Sequence, residues 1–182
     1  WADFPLPYFN HVILCVPNDK DSIWFECTQQ SFAAGYMGSF TGNRKALLIA
    51  EDGGHVVNTP VYTATNNRQV RSADAVIDDK GNLNINLKSI YTGVEQEEAH
   101  GLINDANEDD RKKYLNEMLD LPTYQVEKTH YTEDKKLIPV VQEELEISAS
   151  NYASISGKRL FLKPNLITKV ERKFSEEDKR KF

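Results

Sequence analysis

The chain has 182 residues and a formal net charge of −6, a balance that makes a nucleic-acid backbone or an anionic membrane surface an unfavourable partner. Its 40% hydrophobic and 27% charged residues are those of an ordinary globular protein long enough to bury a core. No apolar run approaches the ~20 residues that a membrane-spanning helix requires.

The opening WADFPLPYFNHV has no initiator Met, no basic stretch and no apolar leader core, so the chain is expected to begin inside a longer protein. The first structural signal is a hairpin. Phe9 to Val16 is apolar and rich in branched residues, PNDKD is turn chemistry, and Ser22 to Thr28 is a second strand. The glycines, aromatics and small polar residues of Gln29 to Arg44 predict an ordered surface loop. Ala46 to Ala50 is a short strand, and EDGG then turns the chain into His55 to Val57. The polar stretch Asn58 to Arg68 reads as a boundary between two units.

Val70 to Asp78 predicts a strand, Asp79-Lys80-Gly81 a turn, and Leu83 to Tyr91 the partner strand. In that partner Leu83, Ile85 and Leu87 alternate with Asn84, Asn86 and Lys88, the pattern of an antiparallel strand with one wet face. One helix is specified near Ala106 to Leu119, with Asp105 as N-cap and Glu108 completing a capping box. Tyr114, Leu115, Met118 and Leu119 form its apolar stripe and Pro122 stops it. Further strands are expected at Tyr124 to Tyr131, Val140 to Ala149 and Arg159 to Lys163. Short strands at this spacing predict a mainly β chain whose second part is an antiparallel, sandwich-like domain with one helix. Lys169 to Phe182 is highly charged, and the chain is expected to be cut short at this end too, at a cost in stability.

The first hairpin holds the most informative geometry. With Asn18-Asp19 as a two-residue turn, His11 faces Glu26, Ile13 faces Trp24 and Cys15 faces Ser22. A four-residue loop leaves His11 and Glu26 on one face as diagonal neighbours, whereas a three-residue loop puts them on opposite faces. A carboxylate beside an imidazole on a sheet face fixes its tautomer, which is the base-and-orienter half of a nucleophilic triad. The same pair is also what an ordinary hairpin with a hydrogen-bonded histidine contains.

Other chemistry is poorly supported. His11, His55, His100 and His130 are scattered without ligand spacing, and there is no CxxC, so no metal and no cofactor is expected. Asp105 to Asp110 lacks the glycine and terminal Glu of a calcium loop and reads as an acidic first helical turn. Gly53-Gly54 lacks the strand-to-helix context of a phosphate cradle. Cys15 and Cys27 read as buried packing thiols: Cys15 is four residues beyond His11, about 13 Å along an extended strand, and Cys27 points away from Glu26.

The run FNHVILCVP followed by SIWFECT resembles the bacterial transglutaminase-like family. By that resemblance His11 falls on the catalytic histidine and Glu26 on the acidic third member, while Asn10, Trp24 and Thr28 match the flanking pattern. GYMGSFTGNRKALLI resembles the loop and strand that close that domain, and the chain from about Val70 looks like the family's C-terminal β-sandwich domain of unknown function. Two positions depart from the pattern: the acid is Glu where Asp is usual, and Cys27 replaces a proline. The nucleophilic cysteine of the family stands upstream at a helix N-terminus, and this chain has no counterpart.

The resemblance therefore implies residues 1–60 as the C-terminal part of a transglutaminase-like core and 61–182 as a β-sandwich-like accessory domain. It implies a cysteine acyl-transfer or protease-like parent acting on a protein or peptide, exported to the periplasm or cell exterior, whose upstream half partners this chain. The chain alone is expected to be inactive. The competing expectation is a non-enzymatic adhesion, scaffold or binding module.

Overall fold

A computed structural model describes residues 9–18 and 22–167. The expected charged tail and the first eight residues lie outside them. The fold is mainly β with antiparallel sheets. Two small hairpins come first, β1 (Leu14–Pro17) with β2 (Ser22–Phe25) and β3 (Lys45–Ala50) with β4 (Gly53–Asn58), joined through the single-turn helix α1 (Gly38–Thr41). The turn between β3 and β4 is Glu51-Asp52, so the two glycines already belong to β4.

The expected surface loop at Gln29 to Arg44 is instead packed inward: Ala33, Tyr36, Met37 and Thr41 are buried. Its aromatics cause this. The Tyr36 ring packs between Phe32 and Tyr62, at centroid distances of 5.5 and 5.3 Å, and the Met37 N–H donates to the Tyr62 hydroxyl at 2.9 Å. The polar stretch that follows β4 is likewise stitched in. The Thr59 hydroxyl donates to the Thr41 carbonyl at 2.7 Å and accepts from the Arg44 N–H at 2.8 Å.

The larger sheet runs β5 (Arg68–Ile77), β6 (Leu83–Thr92), β8 (Val140–Ala149) and β7 (Tyr124–Asp134), in the order β5-β6-β8-β7. The alternation read in β6 is its burial pattern: Leu83, Ile85, Leu87 and Tyr91 face inward and Asn84, Asn86 and Lys88 face water. β8 repeats it, and the wet face carries cross-strand ion pairs, Lys88 with Glu144 and Lys128 with Glu146, both at 2.8 Å. Asp78 closes the β5–β6 turn by accepting from the backbone N–H groups of Lys80 and Asn82. Gly81 in that turn has φ +83°, and a Cβ there would meet the Ala153 carbonyl oxygen at 2.3 Å, so no other residue fits.

The layer over the buried face is helical. The four apolar residues expected to dock α3 (Glu108–Met118) do so: Met118 and Leu119 are buried among Leu83, Leu87, Leu145 and Ile147, with Tyr114 and Leu115 against them. The cap differs from the expectation. Asn107 accepts from the Asp109 and Asp110 N–H groups at 2.8 and 3.0 Å, and Asp110 completes the box. Asp105 is occupied otherwise, because a further helix, α2 (Glu97–Asn104), ends there, with the Asp105 N–H bonded back to Gly101. A last small hairpin, β9 (Ser154–Ser156) and β10 (Arg159–Phe161), is exposed throughout.

Candidate active site

The β1–β2 register pairs Leu14 with Phe25, Cys15 with Trp24 and Pro17 with Ser22. The connecting loop is therefore residues 18–21, the four-residue alternative, because Pro17 and Ser22 are the last partners. The pairing ends at Leu14 and Phe25, so His11 and Glu26 lie just beyond it, in the segments that lead into β1 and out of β2. The two side chains meet. His11 Nε2 lies 2.9 Å from both Oε1 and Oε2 of Glu26.

Three further donors converge on this carboxylate. Thr28 gives its hydroxyl at 2.7 Å and its backbone N–H at 3.2 Å to Oε1. Thr41 lies 3.1 Å from Oε2, its one hydroxyl proton shared with the Met37 carbonyl at 2.6 Å. Burial alone would raise the Glu26 carboxyl, but the hydrogen bonds from Thr28, His11 and Thr41 outweigh it and hold the group below its ordinary value. The Glu26 side chain is 5% exposed and that of His11 21%, so the acid is inside while the imidazole reaches the surface.

An ionised carboxylate only accepts, so Nε2 carries a proton, and in the neutral imidazole Nδ1 then presents its lone pair. Among the described residues no group hydrogen-bonds Nδ1. The Phe40 ring stands edge-on to the imidazole at 5.0 Å. His11 lines an open groove of about 740 Å³ shared with Cys15, Trp24, Phe40, Arg44 and the strand β3.

Cys15 is half-buried in this groove without a hydrogen bond to His11, and Cys27 is exposed. The expectation of two buried thiols fails because β2 ends at Phe25, which leaves Cys27 in a bend beyond the strand. No group of three His, Cys, Asp or Glu side chains among the described residues is arranged to hold a metal ion. No helix among them is long and apolar enough to cross a membrane.

A second histidine–acid pair went unread in the sequence. His100, buried on α2, bonds through Nδ1 to Glu133 of β7 and through Nε2 to the Ser31 hydroxyl at 2.8 Å. The acid is 33 residues from the histidine, and no local periodicity links them. His55 and His130 are exposed, His55 pairing with Asp52 at 2.9 Å. Set against protein-family models, curated proteins and solved structures, the chain matches none.

Proposed function

We propose that this chain supplies the histidine and acid of a cysteine-dependent acyl-transfer centre, with His11 as proton shuttle, Glu26 as its orienter, and the thiol contributed by polypeptide outside these residues. The observation that carries this reading is the His11 Nε2–Glu26 bond at 2.9 Å, with no hydrogen bond to Nδ1 from the described residues and with His11 lining the groove. A thiol placed at Nδ1 gives up its proton there, and the thiolate attacks the carbonyl carbon of a carboxamide. Nδ1–H then protonates the departing amine, leaving a thioester. Water or a second amine, deprotonated by the same nitrogen, releases the acyl group as acid or as a new amide. The substrate is a protein or peptide, and the periplasm or cell exterior is the setting that goes with the resemblance. Residues 1–182 alone are inactive in this reading.

The test is a longer polypeptide that includes the preceding sequence, assayed for amide hydrolysis and amine incorporation. His11→Ala should abolish both, and a fully active His11→Ala protein would end the proposal. A non-enzymatic binding module is the second reading, favoured by the exposed apolar residues Phe9, Val12, Phe40 and Ile49, all four of which line the same groove. An open reading frame without a cysteine ahead of a helical segment would decide for it.

A further inference from the structure

Glu97 is the first residue of α2 and belongs by sequence to the unit built on the four-stranded sheet. Its carboxylate nevertheless spends its hydrogen bonds on the unit that holds His11. Oε1 accepts from the Tyr36 hydroxyl at 2.7 Å and from the Ser39 N–H at 2.7 Å, and Oε2 accepts from the Ser39 hydroxyl at 2.5 Å. Bonds to an ionised acceptor are the stronger kind, and three of them on one carboxylate fix it and what it holds. The approach depends on Gly38, whose φ is +65° and where a Cβ would lie 2.9 Å from Glu97 Oε1 and 2.9 Å from the Phe32 ring.

Ser39 stands in the single turn α1, which has no side-chain cap of its own. Glu97 supplies that cap from a distant part of the chain. The two residues after Ser39 are Phe40, whose ring stands against His11, and Thr41, whose hydroxyl reaches Glu26. A four-residue helix has no internal cooperativity to hold its place, so what grips one end sets the other. We propose that Glu97 is a positioning residue for the His11–Glu26 pair: by holding Tyr36 and Ser39 it fixes the one helical turn that carries Phe40 and Thr41 onto the two side chains. This gives the four-stranded unit a role, as the outer brace of the site. The inference rests on reading that pair as half of a catalytic centre. Ser31, held by His100, is a second fastening between the same parts of the chain, but it lies outside α1 and serves as a control.

The experiment reads His11 directly and requires no activity. In isotopically labelled protein, ring ¹⁵N shifts show which nitrogen carries the proton, and wild-type His11 should be a single Nε2–H tautomer. Glu97→Ala should lose that signature to an average of both tautomers. Glu97→Gln should keep it, because its amide oxygen still accepts from the Ser39 N–H. Ser31→Ala should leave it unchanged. A folded Glu97→Ala protein with the wild-type His11 signature overturns the proposal. If Glu97→Ala does not fold, Glu97→Asp, whose shorter side chain draws the carboxylate back from Tyr36 and Ser39, decides it by the same readout. Glu26→Ala separates the two claims: if it does not change His11, the pairing itself is wrong, whereas a response to Glu26→Ala alone sinks only the role of Glu97.

Discussion

His11 and Glu26 meet at 2.9 Å although the pairing of β1 with β2 ends at Leu14 and Phe25, short of both residues. Backbone pairing does not set the separation of these two residues, so the reach of the Glu side chain is what brings its carboxylate to the imidazole. Shortening it should separate the pair. Glu26→Asp is expected to lose the single His11 tautomer while leaving the fold intact, and a ring ¹⁵N spectrum identical to wild type would show that the extra methylene is not used.

The same carboxylate predicts a pH dependence. Glu26 is held below its ordinary value of 4.5, the hydrogen bonds from Thr28, His11 and Thr41 outweighing the effect of burial. A carboxyl depressed in the folded state contributes stability that is complete above the unfolded value and lost as pH falls through the folded one. Glu26→Gln should therefore cost about 1–2 kcal/mol near neutral pH, with the gap to wild type constant above about pH 5 and narrowing in acid. Parallel thermal melts across that range check it. A gap that widens in acid has the wrong sign.

The large sheet was legible because its signals are local and agree. Leu83, Ile85 and Leu87 alternate strictly with polar residues, and Asp78 to Gly81 can form little but a turn. The hairpin register was less so, because PNDKD offers turn residues for loops of two, three or four, and only the pairing of Pro17 with Ser22 decides among them. α2 was missed because EEAHGLIN carries an interior glycine and few large apolar residues, and its burial is set by partners elsewhere in the chain. The packing of Tyr36 and Met37 was hidden for the same reason. Glycine-rich sequence reads as surface until the ring of Tyr62 closes over it.

The cap at Asn107 is a second place to test the structure against the sequence. Asn107→Ala removes the acceptor for two backbone N–H groups at the start of α3 and should cost about 1 kcal/mol. Asp105→Ala, the cap expected from sequence, should cost less. Equal losses, measured by denaturant titration, would place the helix start wrongly.

Face alternation in β8 gives a contrast between adjacent residues. Leu145 is 1% exposed in the main core, and its replacement by Ala should cost about 2–5 kcal/mol through lost burial and a residual cavity. Glu144 points to water, half-exposed against Lys88, and Glu144→Ala should cost far less, because an exposed ion pair contributes little. Comparable losses at the two positions would mean that the strand is turned over.

The thiols test whether the nucleophile lies inside this chain. Cys27 is exposed at the end of β2 and Cys15 is half-buried beside its strand partner Trp24, neither at a helix N-terminus that would favour a thiolate. Cys15 shares the groove with His11, so it is the thiol with any claim to the role, but the imidazole makes no hydrogen bond to it. Four residues of fully extended chain would span about 13 Å, far beyond proton-transfer reach. At neutral pH both thiols should react with iodoacetamide no faster than free cysteine, Cys27 ahead of Cys15 because it is the more exposed. His11→Ala should leave both rates unchanged. Rapid alkylation of Cys15 that His11→Ala abolishes would make the chain a self-sufficient cysteine–histidine–acid site and overturn the assignment of the thiol to another part of the protein.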